Sequence, residues 1–352
     1  MDRLPLIKLF VFEYLTGGGI DPDIASPASL ADLSALIVEG RVMRDAIATD
    51  LRAFPGIDVT IASSRFEHVD DRYSHQRAQD GESITQFVSR MAREHDYALV
   101  VAPECDGLLL RLYDAVGATR WLGCAKEAIR VASSKSATAT CLTAHGIATT
   151  PALEPEQAAS LDAANWVVKP DDGAGGLDTY VYRDLDAALK EYEARAAAGR
   201  NPVLQEWIDG EPLSLSLICD EAGAQLVSIN RQRIGMSSGI SSDTSSNRNE
   251  RIVEFDGVDA DYIPLDSAKG QALERLAMRV AHALPGLRGF VGIDVVWNEA
   301  RGPVVIEVNP RLTVAYAAIS KKRNLAAQLL AAHRVSGFAH HDTRVREVGA
   351  SS

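Results

Sequence analysis

Several things are scarce in this sequence, and each scarcity removes a class of function. The 352 residues include only four cysteines, Cys105, Cys124, Cys141 and Cys219, scattered with no CxxC pair and no histidine at zinc spacing. Neither a disulfide framework nor a thiolate metal knuckle is supported, and free thiols of a reducing compartment are expected. A basic excess is also missing, since 36 Lys and Arg stand against 48 Asp and Glu for a formal net charge of −12. Such a chain repels a phosphate backbone, no local basic patch offsets this, and no nucleic-acid partner is expected. Long hydrophobic runs are absent too. The N-terminal apolar run from Leu6 to Phe12 is too short for a membrane span, and no signal-peptide cleavage pattern follows it. The expectation is a cytoplasmic protein that acts on small molecules, with no membrane partner.

What is present suits a globular protein, with 46% apolar residues. Leu6 to Phe12 reads as a buried strand, Ser34 to Phe54 as a helix and Asp58 to Ala62 as a strand; a helix from Ser83 to His95 then leads into Tyr97 to Ala102. Continuous apolar strands between helices point to an open, doubly wound α/β domain. After Trp121 the pattern predicts one small-residue helix from Lys126 to Thr143, a short strand at Trp166 to Lys169 and a helix from Asp184 to Ala198. From Val203 it turns strand-rich, with a helix from Ser267 to Leu284. The polar stretch from Gly235 to Arg251 cannot bury a core and is expected to be a lid or a disordered insertion.

KLFVFEYLTGGG, Lys8 to Gly19, invites comparison with phosphate loops. GxGxxG does not fit, because Ile20 and Asp21 follow the glycines, and GxxxxGK[ST] fails for want of a lysine. The stretch is either a plain turn or, at the carboxyl end of a first parallel strand, part of a ligand crevice. Glu13, Gly17 and Gly18 are therefore assigned to substrate.

Stronger motifs lie downstream in a fixed order. Lys135 stands in SSKSATA, Lys169 in VVKPDDGAGG ahead of Gly173, Gly175 and Gly176, and Glu206, Trp207 and Ile208 in LQEWIDGE, followed by Glu211. Asp294 stands in GIDVVW, and Glu307 and Asn309 in VIEVNPR. Each alone reads as a surface residue or a turn. Together they share a logic, because Asp, Glu and Asn within apolar strands are costly to bury unless they bind something. If the ligand is MgATP, two lysines neutralise phosphate oxygens and a glycine loop closes over them. Glu206 with the Trp207 and Ile208 backbone would meet adenine, and Glu211 the ribose. Asp294, Glu307 and Asn309 supply the hard oxygens that magnesium takes.

These motifs, in this order, resemble the ATP-grasp superfamily from roughly Leu6 to Leu330. The resemblance implies an ATP-grasp fold of α/β and α+β parts: an N-terminal doubly wound pre-ATP-grasp domain over 1–123, a small central subdomain over 124–204, a C-terminal subdomain with the metal site over 205–335, and a tail over 336–352. It implies ATP with two Mg2+ ions, Mn2+ being an alternative occupant, and a carboxylate activated as an acylphosphate that an amine then attacks. Arg311 and Lys169 would be the catalytic residues, Arg311 facing the reacting carboxylate unless it is instead paired with Glu307. A homodimer is a common arrangement for such proteins.

FEYLTGGG, EGRVMRDAI (Glu39 to Ile47), VVAPE and INRQRIG are together similar to the tyramine–L-glutamate ligase group, which serves furan-type one-carbon cofactors such as methanofuran and methylofuran. That resemblance implies an amino acid, L-glutamate, joined through its γ-carboxylate to an amine, tyramine or tyrosine. Arg231 and Arg233 are candidates for a substrate carboxylate, and Glu13 or Glu104 for an ammonium. Ser237 to Asn247 would close over the acylphosphate. The alternatives are another amino-acid or dipeptide ligase of the D-alanine-D-alanine ligase type, or a non-catalytic ATP-binding regulator.

Overall fold

The computed structural model describes residues 6–20, 27–68, 71–173, 175–238, 250–336 and 338. The expected first strand is β1 (Ile7–Glu13), which runs parallel to β2 (Ile57–Ala62) and β4 (Tyr97–Val101), with the short β3 (Ser74–Gln76) on the far edge. The order β3-β2-β1-β4 makes a small parallel sheet. Alternation along β1 shows why its sequence is apolar from Leu9 to Phe12: Phe10 and Phe12 enter one core with Phe87 and Leu112, while Leu9 and Val11 enter another with Ile47 and Leu51. These covering residues come from α1 (Pro27–Arg52), α2 (Ile84–Glu94) and α3 (Leu108–Val116). Ser83 starts α2 with a reciprocal capping box to Gln86, which is why the helix begins one residue after the expected boundary.

The single helix expected from Lys126 to Thr143 is two, α4 (Lys126–Ala132) and α5 (Lys135–Ala144). The break lies at Ser133-Ser134, where Ser134 becomes extended and its side chain accepts from Ala137 N as an N-cap. Apolar spacing alone does not reveal such a restart. The chain continues through α6 (Pro155–Ala159), β5 (Trp166–Pro170), β6 (Tyr180–Tyr182), α7 (Leu185–Ala197), β7 (Pro202–Glu206), β8 (Glu211–Asp220), β9 (Gly223–Ser238) and β10 (Glu250–Asp259). It ends in α8 (Ala268–Ala283), β11 (Gly289–Asn298), β12 (Gly302–Asn309), α9 (Val314–Ser320) and α10 (Ala326–Ala332).

An eight-stranded antiparallel sheet, ordered β12-β11-β8-β9-β10-β6-β5-β7, joins the central and C-terminal parts. Part of the polar stretch expected as a lid is strand, since Ser238 pairs with Arg251 and Glu250 with Tyr182; the rest of that proposed lid, residues 239–249, lies outside the described residues. So does most of the tail. Tyr182, Trp166, Val168 and Leu204 build a small separate core under α7. Among the described residues no helix is long and apolar enough to cross a membrane.

Candidate active site

A cavity of about 720 Å³ is lined from both sheets. From the antiparallel sheet come the downstream motifs. Lys169, the fourth residue of β5, is buried, and Lys135 opens α5 beside it. Asp171 explains how they are held together. Its carboxylate accepts from Ser136 N (2.8 Å) and Ser134 Oγ (2.7 Å), while its carbonyl accepts from Lys135 N at 2.8 Å. The strand end is thereby bound to the helix N-terminus, where a carboxylate is favoured. Gly173, Gly175 and Gly176 all have positive φ (108°, 72° and 70°), backbone that side-chain-bearing residues rarely adopt, and all three line the cavity. Burial and the neighbouring Lys135 charge push the Lys169 ammonium down to about 8.

Across the cavity, Asp294 on β11 is the register partner of Glu307 on β12, next to a bulge that puts an extra residue into β12. Asn309 Nδ2 donates to Asp294 Oδ2 at 3.2 Å, and Lys135 Nζ stands 3.8 Å from Glu307 Oε2. Burial and the adjacent Glu307 drive the Asp294 carboxyl well above the usual range. Burial also acts on Glu307, but Lys135 and Lys169 outweigh it and hold that carboxyl low. Two buried carboxyl groups this close do not both stay charged unless a proton or a metal cation lies between them. Among the described residues no group of three or more His, Cys, Asp or Glu side chains gathers as a metal site. The donor set is two carboxylates and one amide, which fits a divalent ion whose remaining ligands are phosphate oxygens and water.

Arg311, just past β12, also lines the cavity, but it does not pair with Glu307. Its Nε and Nη2 donate to Glu104 Oε1 (2.9 Å) and Oε2 (3.0 Å), and its Nη1 donates to Leu312 O at 3.2 Å. A guanidinium has five N–H donors, so two remain.

Other candidates are placed differently from expectation. Glu104 is held in a bidentate pair by Arg311, and Glu13 caps its own turn, accepting from Leu15 N (3.2 Å), Thr16 N (2.8 Å) and Thr16 Oγ1 (2.7 Å). Both carboxylates thus have partners within the chain, and of the two only Glu13 lines the cavity. Gly17 and Gly18 shape that turn, with Gly17 buried beneath the Phe12 ring, and they do not line the cavity. Arg231 and Arg233 project from the opposite face of β9: Arg231 lies over the Tyr262 ring and Arg233 pairs with Asp259, whereas Gln232 and Ile234 line the cavity. Gln232, unnoticed in the sequence, hydrogen-bonds Asp294. Glu211 is turned away as well, bound to Lys269 and Tyr262.

Glu206, Trp207 and Ile208 do line the cavity, together with Gln205. Glu206 is held by a bidentate pair with Arg301 (2.8 and 2.7 Å), and the Trp207 N–H is used by Asn165 O at 3.0 Å. From the side of the parallel sheet come further lining residues to which the sequence assigned no role, among them Tyr14, Glu39 and Arg111.

Comparison with known proteins agrees with this arrangement. A tyramine–L-glutamate ligase from Methanocaldococcus jannaschii is 28% identical over 94% of this chain and 91% of its own length. Another protein of that description, from Methanocaldococcus fervens, is 29% identical over 67% of this chain and 65% of its own. The structure of a D-alanine–D-alanine ligase from Bacillus anthracis complexed with ATP superposes with a TM-score of 0.60, at 16% identity, covering 93% of this chain and 97% of that one. ATP and divalent metal ions are the ligands of this fold family. The pre ATP-grasp 3 domain family matches residues 58–129. The ATP-grasp domain family matches residues 132–315, more than half of the chain, which therefore belongs to the ATP-grasp family as an ATP-dependent carbon–nitrogen ligase.

Proposed function

We propose that this chain joins the γ-carboxylate of L-glutamate to an aromatic amine, tyramine or tyrosine, as a step toward furan-type one-carbon cofactors. The observation that carries the reading is the division of the cavity. The antiparallel sheet and the start of α5 contribute two lysines against two carboxylates, while α1, α3 and the first turn contribute Leu15, Leu33, Leu36, Met43 and Leu108 along with Glu39 and Arg111. One wall suits polyphosphate and metal, the other an apolar amine. The relation to tyramine–L-glutamate ligase over 94% of the chain supports the choice of substrates.

On this reading Lys135 and Lys169 neutralise phosphate oxygens, and the loop with Gly173, Gly175 and Gly176 turns its N–H groups to them. Ile208 and Gln205 meet the base edge. Asp294, Glu307 and Asn309 hold magnesium, two ions in our proposal, which supplies charge neutralisation at the transferring phosphoryl group. The carboxylate oxygen of glutamate attacks the γ-phosphorus and ADP leaves; the amine then attacks the acyl carbon, phosphate leaves, and the amide remains. Arg311, fixed by Glu104, directs its two unused donors at the oxyanion formed in the second step. We further propose the threefold division of the chain into 1–123, 124–204 and 205–335, followed by the tail. A cytoplasmic homodimer completes the proposal.

The test is phosphate release from MgATP with L-glutamate and a panel of amines, with mass spectrometry of the products. A γ-glutamyl amide formed with ADP, requiring both substrates, is the expected result; ATP binding without glutamate-dependent turnover on any amine overturns the substrate assignment.

A further inference from the structure

The carboxylates that line the cavity have, with two exceptions, a named partner in the chain. Glu13 caps its turn, Asp172 accepts from Asp106 N, Glu206 binds Arg301, and Asp294 and Glu307 face Asn309 and Lys135. Of the exceptions, Asp106 is exposed to water. Glu39 is not. It is half-buried on α1, in a cavity-facing stripe that reads Leu36, Glu39, Met43. Among the described residues no hydrogen bond or ion pair reaches its side chain, and burial alone pushes its carboxyl up.

The position of this carboxylate is enforced. The next residue is Gly40, where a Cβ would lie 2.6 Å from the Glu13 carboxyl carbon, so a side chain there would lift α1 off the first turn. Gly40 lets the helix sit down on Glu13, and Glu39 is thereby carried to the cavity wall. A lone carboxylate among leucine and methionine is costly unless a cation meets it.

Resting on the ligase reading above, we infer that Glu39 receives the ammonium group of the amine substrate, with Leu36, Met43 and Leu15 taking its apolar body; the nitrogen attacks as the neutral amine, its proton leaving to water and the departing phosphate. The role left open by the self-satisfied Glu13 and Glu104 thus falls to a residue one strand-to-helix connection away. The ammonium is that of the acceptor, because the cavity-lining residues that flank Glu39 on α1, Leu36 and Met43, are apolar and suit the body of an amine.

The experiment uses the full chain and Glu39→Gln, which should fold normally because no described contact of the side chain is lost. With MgATP and L-glutamate saturating, the substitution should raise KM for tyramine about tenfold to hundredfold and leave KM for ATP and glutamate unchanged. In parallel, thermal-shift titrations compare tyramine with the alcohol of the same skeleton: tyramine should stabilise the native protein but not the variant, and the alcohol should not distinguish them. An unchanged tyramine KM overturns the inference, as does a rise confined to glutamate, which would give Glu39 to the ammonium of the acid. If the native protein makes no amide from any amine, the ligase substrates are wrong, and the titration decides alone. A tyramine shift lost in the variant then sustains the role of Glu39, and equal shifts or none in the native protein overturn it.

Discussion

Both sheets end their apolar strands in carboxylates, yet they treat them in opposite ways. At the ends of β1 and β4, Glu13 and Glu104 are 3% exposed and fully used by the chain, the first by its own turn and the second by Arg311. In β11 and β12, Asp294 and Glu307 are set against each other, and Lys135 and Lys169 raise each other's cost on the facing side. Closed charge is architecture; opposed like charges are what a protein keeps when a ligand will neutralise them. The sharpest break of this contrast is Asp294→Asn. It should lower turnover roughly a thousandfold while leaving the melting temperature little changed, because a carboxyl that burial and Glu307 hold above the usual range is replaced by a neutral amide of the same shape. Steady-state kinetics beside calorimetry would check it, and a clear loss of stability would place Asp294 with the architectural group.

The opposed charges were legible in the sequence because GIDVVW and VIEVNPR carry acids inside apolar runs, where the cost of burial marks them out. The glycine loop and both lysines were legible for the same reason of order and residue type. The partners were not. Glu104 and Arg311 lie 207 positions apart, and no periodicity links them. Arg231 and Arg233 were chosen over Gln232 because charge is conspicuous in a sequence, whereas the face of β9 that a residue occupies depends on register with β8 and β10, both of which carry irregularities. Glu39 was quoted within EGRVMRDAI but given no role, since its isolation appears only once the neighbours of α1 are in place.

The next effect in size comes from the architectural side. Glu104→Gln leaves the Arg311 guanidinium buried without its counter-charge, and unfolding should become easier by about 3 kcal/mol. Adding Arg311→Met should restore much of that loss but none of the turnover. Denaturant unfolding of the single and double variants separates the two contributions; a double variant no more stable than the single one would mean that the pair is not self-contained.

His333 tests whether an unsatisfied buried group is enough to mark a site. Its Nε2 is sealed without a partner among the described residues, against Gly289, and it does not line the cavity. Burial and the Arg288 charge push the imidazole down to about 3. A folded-state value below the unfolded one means that the unfolded chain binds more protons, so stability is full above about pH 6.5 and falls as pH drops toward 3. By pH 5 the loss should be about 2 kcal/mol, and His333→Gln should flatten this acid limb. Melting curves from pH 7 to 5 read it directly, with ligand binding at pH 7 unaffected by the substitution.

The smallest effect belongs to the pair that stands between the two kinds. Glu206 lines the cavity, but its carboxylate is clasped by Arg301, whose side chain is 53% exposed. Solvent on the arginine weakens the attraction, so Arg301→Ala should change stability by less than about 1 kcal/mol, far below the Glu104 effect despite equally good bidentate geometry. The substitution frees both Glu206 oxygens at the cavity rim. If they then accept from an adenine amino group, KM for ATP should fall about two- to threefold with kcat unchanged. A rise in KM would mean the reverse, that Arg301 holds Glu206 in position for the nucleotide, and would move the pair to the architectural side of the comparison.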